Sequence, residues 1–255
     1  MNLLRSKRSL RDEEGVFVLE GAREIERALA NKIKVIELFV CEELLSPLAK
    51  SIVVKTQTEK IPVSAPVFAK LVMREKSDGI CALAKQNYLT VDTISSILKK
   101  PAFLVYVQHV EKPGNLGAIF RSADGAGVDA VFLSQAFNDP FNPNALRASI
   151  GSICSMAKVQ MPFADFAQYC RKNGIALLAS SPSATKTIYE VDMAQPIALV
   201  LGSEATGMEE DDMQIADQLV KIPMLGLNDS LNVSVSAGVM FYEVCRQRRY
   251  SRSPR

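Results

Sequence analysis

Short apolar runs alternate with amphipathic stretches over the first third of the chain. The runs have the length of strands, and the stretches between them have helical spacing, with Ile25, Ala28 and Leu29 on one face. The predicted strands are Phe17–Leu19, Lys34–Val40, Ile61–Val63 and Ile80–Ala84. Strands that alternate with helices predict a small α/β domain, which we assign to residues 1–90.

A more apolar series follows a connecting segment at residues 91–100. Its predicted strands are Ala102–Val107, Ala130–Leu133, Val159–Met161, Ala176–Ala179, Ile197–Leu201 and Leu219–Ile222. Its predicted helices are Asn115–Ala126, Pro143–Ser149, Asp165–Lys172 and Ser230–Arg249. Strands that are apolar throughout are typical of a parallel sheet with helices on both faces. We therefore predict a second, larger α/β domain at residues 101–255.

The net charge of +2 is too small to indicate a partner, but the basic residues are unevenly distributed. Basic residues without any acid occupy both ends of the chain: Arg5, Lys7, Arg8 and Arg11 at the start, and Arg246, Arg248, Arg249, Arg252 and Arg255 at the end. Such ends can contact phosphates. From charge alone, two solvated and partly disordered tails are the simpler interpretation.

The five cysteines, at positions 41, 81, 154, 170 and 245, have no CxxC spacing, and the chain contains one histidine, His109. This set predicts no metal site. Reduced thiols in a cytoplasmic protein are the simplest account of an odd number of cysteines without a signal peptide. No apolar run approaches the roughly 18 residues of a membrane span, so we expect no membrane contact.

Two segments place small and polar residues after predicted strands. In residues 112–124, Asn115 predicts a helix cap, and Arg121 lies further along the same helix. In residues 199–208, a loop bracketed by Gly202 and Gly207 contains Glu204. Neither GxGxxG nor GxxxxGK[ST] is present. The carboxyl ends of strands in open α/β sheets bind ligands. A capped helix with a surface arginine and an ordinary strand–loop–helix turn are the structural alternatives.

A third segment, residues 222–241, is a loop rich in proline, glycine and asparagine that leads into the predicted last helix at Ser230. The unpaired N–H groups and the positive dipole end of a helix start favour a polar ligand. The structural alternative is a Ser230 cap followed by a packing face of small residues, and it does not exclude ligand binding.

In this order, the three segments resemble the motifs of SpoU-type RNA ribose 2′-O-methyltransferases of the SPOUT superfamily. The matching residues are Asn115, Gly117 and Arg121, then Leu201–Glu204 with Gly207, then Ile222–Met224 and Ser230–Ser234. The match covers roughly residues 101–249. Residues 1–90 resemble, more loosely, the small ribosomal-protein-like substrate-binding domain that precedes many members.

The resemblance implies an α/β SPOUT domain with a parallel sheet and a trefoil knot. It also implies S-adenosylmethionine bound at the knot and a homodimer built partly from the knot helices. Without it, the strand pattern favours a Rossmann-like sheet, because true knots are rare. By position, the cofactor contacts are expected at Leu178, Ala179, Gly202, Ile222 and Leu231.

The resemblance further implies methyl transfer to a ribose 2′-hydroxyl of RNA, with Arg121 in the activating role. The residues implied to position Arg121 and the ribose are Asn115, Glu204, Ser230 and Asn232. Because a guanidinium stays protonated, we expect Arg121 to orient a phosphate and stabilise the alkoxide rather than act as a base.

The target RNA is open at this point. Large-subunit (23S-type) ribosomal RNA is the first expectation, because the two-domain layout resembles the rRNA-modifying branch, and tRNA is the second. The other interpretations are a SPOUT relative that methylates a base nitrogen and a non-catalytic RNA-binding assembly factor. We expect the first domain and the basic ends to capture RNA. His109 is expected to be structural, because the motif does not require it.

Overall fold

The computed structural model describes residues 1–73, 78–135, 137–203, 207–208 and 210–250. The chain forms two compact units. The first unit consists of Met1–Asn87 with Asp139–Ser155, and the second of Tyr88–Asn138 with Met156–Arg255. The domain bounds expected from the sequence stay predictions; they differ from the two units in placing residues 139–155 with the second domain.

Strands and helices alternate along most of the described chain. The strands are β1 (Val16–Glu20), β2 (Val35–Val40), β3 (Glu59–Pro62), β4 (Ile80–Lys85), β5 (Phe103–Val107), β6 (Ala130–Leu133), β7 (Ala157–Gln160), β8 (Ala176–Ser180), β9 (Lys186–Thr187), β10 (Ile197–Leu201) and β11 (Gln218–Lys221). The helices are α1 (Asn2–Ser6), α2 (Arg8–Glu14), α3 (Ala22–Ala30), α4 (Pro47–Lys55), α5 (Ala65–Leu71), α6 (Val91–Ile97), α7 (Pro113–Ala126), α8 (Pro143–Ser149), α9 (Ser152–Ser155), α10 (Phe163–Lys172), α11 (Glu210–Ile215) and α12 (Val233–Tyr250), with a 3₁₀ turn at Glu42–Leu44. None of the helices in the described part of the chain has the length and apolar content that crossing a membrane requires.

The first unit is built on a mixed sheet with the strand order β1-β4-β2-β3. Strand β4 is antiparallel to β1 and β2, whereas β2 and β3 are parallel. Phe17 of β1 packs against Phe141, with ring centroids 4.5 Å apart, so the 139–155 segment contributes to this core. Helix α4 starts at Pro47 and is capped by Ser46, whose Oγ accepts the Ala49 N–H at 3.2 Å.

The basic start of the chain is folded, so its interpretation as a disordered tail is wrong. It forms α1 and α2, and the Arg11 side chain is only 2% exposed. Arg11 forms an ion pair with Asp139, and Arg5 donates to the Leu71 carbonyl oxygen at 2.9 Å. A buried guanidinium needs such partners. These two arginines are therefore engaged within the first unit. The end of the chain, residues 251–255, lies outside the described residues.

The second unit is a seven-stranded sheet with the strand order β7-β6-β5-β10-β8-β11-β9, and every neighbouring pair is parallel. All five residues of β5 and of β10 are buried, as expected for central strands covered on both faces. The predicted α/β fold with a parallel sheet is confirmed, and the knot stays a prediction. Strand β10 fits between β5 and β8, so the loops that follow these strands meet at one edge of the sheet.

Candidate active site

The loops after β8, β10 and β11 enclose a cavity of about 700 Å³. Its lining comes from Ser180–Ser183, Leu201–Ser203, Gly207–Met208, Met213, Val220–Ile222, Met224, Asp229–Val233, Ser236 and Met240. Small-molecule sites commonly enclose about 300–1,000 Å³ and occur outside the carboxyl ends of parallel strands. The cavity has both the size and the position of a ligand site.

The loop after β10 closes on itself and makes Gly202 necessary. The Ser203 N–H donates to the Gly207 carbonyl oxygen at 2.8 Å, and the Gly207 N–H donates to the Ser203 carbonyl oxygen at 3.1 Å. A Cβ atom on Gly202 would lie 2.8 Å from the Gly207 carbonyl carbon, which is too close for any side chain. Gly207 itself has φ of 70°, where glycine is favoured. Glu204, predicted to be catalytic, lies outside the described residues.

The last helix starts at Val233, so the predicted start at Ser230 is wrong. Its cap is Asn232, whose Oδ1 accepts the Ser234 N–H at 3.0 Å and the Ser234 hydroxyl at 2.7 Å. Ser230 and Leu231 precede the helix as loop residues in the cavity wall. Because they are not helical, their main-chain groups are left for other partners.

One hydrogen bond joins the first and third motifs at the cavity. The Asn232 side chain, through Nδ2, donates to Asn115 Oδ1 at 3.4 Å. The interpretation of Asn115 as a helix cap is wrong, because α7 starts at Pro113 and has no side-chain cap. The Asn115 side chain instead points across to the loop that lines the cavity. Arg121 lies on the same helix, is exposed, and is not among the described residues that line the cavity.

Two family models match the chain. The SpoU rRNA Methylase family matches residues 102–242, more than half of the chain, and the MRM3-like substrate binding domain matches residues 1–82. The chain belongs to the SpoU rRNA methylase family. The family predicted from the three motifs is thereby confirmed, and the chain is an S-adenosylmethionine-dependent RNA methyltransferase.

Similar proteins of this SpoU family cover most of the chain. The 23S rRNA (guanosine-2′-O-)-methyltransferase RlmB of Bordetella pertussis is 32% identical over 74% of this chain and 78% of its own length. The SpoU methyltransferase AviRb of Streptomyces viridochromogenes, in complex with AdoMet, is 27% identical, covers 97% of this chain and 96% of its own, and superposes with a TM-score of 0.90. A further solved structure, an RNA 2′-O ribose methyltransferase, is 34% identical over 97% and 93% of the two chains, with a TM-score of 0.82.

The cavity of this SpoU protein fits the chemistry of S-adenosylmethionine. Met208, Met240 and Leu231 offer an apolar surface suited to a purine ring, while hydroxyl and main-chain groups from three loops can bind polar atoms. Gly202 lies close to the loop that follows it, so the cavity wall at this position consists of main-chain atoms rather than a side chain. We regard these residues as the ones that would hold the cofactor.

Three of the five predicted cofactor contacts lie in this wall. Gly202, Ile222 and Leu231 line the cavity, whereas Leu178 and Ala179 are not among the described residues that line it, and the cofactor contacts themselves stay predictions. Those two residues are buried in β8, where their main chain pairs with β10 and β11. The segment Ser180–Ser183, which directly follows them, lines the cavity instead, and Ser181 Oγ and Ser183 Oγ lie 2.8 Å apart. The sequence signal for this part of the cavity is a run of small polar residues directly after an apolar strand.

Proposed function

We propose that this protein transfers a methyl group from S-adenosylmethionine to a ribose 2′-hydroxyl of large-subunit, 23S-type ribosomal RNA. The observation that carries the proposal is the bond between Asn115 and Asn232, which brings the motif that contains Arg121 to the cofactor cavity. The Bordetella relative, named for 2′-O-methylation of a guanosine in 23S rRNA, supports the same substrate class.

The reaction leaves the protein with tasks of positioning and charge stabilisation. S-adenosylmethionine supplies a methyl group on a positively charged sulfur, already a strong electrophile. As the hydroxyl oxygen bonds to the methyl carbon, the carbon–sulfur bond would break and release S-adenosylhomocysteine with a neutral sulfur. The hydroxyl proton would pass to solvent water ahead of the new bond, so negative charge would develop on that oxygen. We assign Arg121 to the phosphate beside the target ribose and to this developing charge, because a guanidinium donates hydrogen bonds and keeps its proton. Asn115, Ser230 and Asn232, with Glu204, are assigned to orienting the ribose and Arg121.

We assign capture of the RNA to the first unit, in line with the substrate-binding model that matches residues 1–82. Two of the four basic residues in this segment are less suited to phosphate contact, because Arg11 is buried and Arg5 is half-buried, and both are held by partners within the first unit. Lys7, which is exposed, is the better candidate at this end of the chain. Deleting residues 1–11 would remove structure together with charge, so a single Lys7 substitution is the cleaner probe.

A homodimer and a cytoplasmic location complete the proposal. Helix α12 packs on α7 yet leaves Val235 and Tyr242 exposed, which are apolar positions suited to a second copy. The five free cysteines, four of them buried, are typical of a reducing compartment.

The homodimer is tested by light scattering of the purified protein. A mass of two chains would support the dimer, and a mass of one chain would contradict it.

The substrate is tested on RNA from a strain that lacks the gene for this protein. Purified protein and S-adenosylmethionine with a labelled methyl group are incubated with its ribosomal RNA or its tRNA. Digestion to nucleosides and mass spectrometry then locate the label. We expect label in the rRNA and on the sugar fragment. Label confined to tRNA, or on the base fragment, would contradict the proposed substrate or the proposed acceptor atom, respectively.

A further inference from the structure

A pair of stacked aromatic rings, one of them exposed, lies outside the machinery described so far. The rings of His109 and Phe137 stack with centroids 4.1 Å apart and planes inclined by 29°. Phe137 is 56% exposed, and Tyr189 and Tyr242 are the other large aromatic side chains left exposed among the described residues. A phenyl ring that is stacked on one side and more than half exposed offers its other side to solvent.

A buried amide holds the two rings in place. Asn138, next to Phe137 in the chain, is fully buried. Its Nδ2 donates to the Gln108 carbonyl oxygen at 3.1 Å, and its Oδ1 accepts the Val110 N–H at 3.2 Å. These bonds fix the main chain on both sides of His109. The loop that carries one ring is therefore tied to the loop that carries the other, and the pair is pre-organised.

The pair lies at the same edge of the sheet as the cavity. His109 follows β5 and Phe137 follows β6, while the cavity is framed by the loops after β8, β10 and β11. The Gln108 N–H donates to the carbonyl oxygen of Leu201, a cavity residue, at 3.0 Å. Strand β5 is the neighbour of β10, and β6 is next to β5. The rings are thus about two strand spacings, on the order of 10 Å, from the end of β10.

We propose that His109 and Phe137 form a stacking platform for a nucleobase of the substrate RNA, at the target nucleotide or its immediate neighbour. The platform selects an unpaired nucleotide and so helps to decide which ribose enters the site. Sequence-specific RNA recognition commonly targets unstacked bases that pack on phenylalanine or histidine rings. This inference rests on the proposed function, because it requires an RNA substrate at the cavity.

The test compares substitutions that keep or remove the aromatic ring at position 137. In Phe137→Ala and Phe137→Leu, we expect the KM for ribosomal RNA from the gene-deletion strain to rise about tenfold or more. In Phe137→Trp, which keeps a stacking surface, we expect KM within about threefold of the wild type. Affinity for S-adenosylmethionine, measured by calorimetry, should be unchanged in all three. Tyr189→Ala is the matched control, because Tyr189 is exposed to the same extent, at 57%, and follows β9 at the far edge of the sheet.

Each outcome decides the matter. An unchanged KM in Phe137→Ala would overturn the platform, and a wild-type KM in Phe137→Leu would show that apolar contact suffices without stacking. Equal losses in Phe137→Ala and Tyr189→Ala would also overturn it. If the wild-type protein transfers no methyl group to this RNA, the proposed function fails by itself. The platform is then judged by equilibrium binding of the same RNA, which Phe137→Ala must weaken and Phe137→Trp must not.

Discussion

Two helices start beside the same cavity, and asparagine has a different task at each start. At α12, Asn232 caps the helix through Oδ1 and uses Nδ2 to reach Asn115. At α7, Pro113 occupies the first helical position, and no side-chain cap is present. Proline has no N–H and a backbone already suited to a helix, so this start requires less capping. Asn115, in the first turn, is therefore available to the site, whereas Asn232 serves both helix and site.

This difference predicts that substitutions at the start of α7 change activity without changing stability, whereas substitutions at the start of α12 change both. Substitutions along α7 that remove a polar group of the site should reduce methyl transfer and leave the free energy of unfolding unchanged. Substitutions at Asn232 should affect both, unless the new residue keeps the cap. The predictions below run from the largest effect to the smallest.

The largest effect is expected at Arg121, on the exposed surface of α7. Arg121→Ala should lower the rate of methyl transfer by about 100-fold or more, because it removes the charge assigned to the developing alkoxide. Affinity for S-adenosylmethionine and the urea midpoint should stay at wild-type values, because the side chain is exposed. Single-turnover transfer from labelled cofactor measures the rate.

Arg121→Lys keeps the charge and loses the planar fork of donors. We expect it to recover only part of the rate lost in the alanine variant. A wild-type rate in Arg121→Ala would remove this residue from the mechanism. A wild-type rate in Arg121→Lys would mean that the positive charge is sufficient and that the planar set of donors is not needed.

The next effect is expected at Asn232. Asn232→Ala removes the cap and the bond to Asn115, so it should cost about 1 kcal/mol of unfolding free energy and lower transfer about tenfold. Asn232→Ser keeps a good capping residue but is too short to reach Asn115. It should therefore regain the stability and not the activity. Urea unfolding and steady-state kinetics on the same preparations measure the two quantities.

Asn115→Ala examines the same contact from the other helix. It should lower transfer about as much as Asn232→Ser, with a change in unfolding free energy below about 0.5 kcal/mol. Because Asn115→Ala and Asn232→Ser remove the same hydrogen bond, the variant that carries both substitutions should transfer methyl groups no more slowly than either single variant. Losses that multiply in the double variant would mean that the two asparagines act independently.

The sequence predicted what local patterns determine. The apolar strands β5 and β10 follow from neighbouring residues alone, and the structure contains them. The second and third motifs also identified two of the cavity loops, because one motif directly follows a strand and the other precedes a helix. What these residues share is that their roles depend on partners a few positions away.

The sequence could not predict roles that depend on distant partners. The local pattern predicts a cap at Asn115, and this prediction is wrong because its partner, Asn232, is 117 residues away in the chain. Arg11 was interpreted as part of a solvated tail, yet its partner Asp139 is 128 residues away. In both cases a polar residue near a helix start or a chain end has a common local use, and only the tertiary contact shows that it is used elsewhere.

The smallest effect on methyl transfer is expected at two glycines, one in the first turn of α7 and one at its C-terminal cap, where the predicted changes are in stability. Gly127 ends the helix with φ of 74°, and a Cβ there would meet nothing within 4 Å. The cost of Gly127→Ala is therefore that of the left-handed backbone alone, about 1 kcal/mol. Gly114, in the first turn, also has free space for a Cβ but has no positive φ. Gly114→Ala should stabilise the protein by about 0.5 kcal/mol, because alanine favours the helix. Urea unfolding of the two variants should thus give changes of opposite sign. Changes of the same sign would mean that side-chain packing, rather than backbone conformation, determines stability along α7.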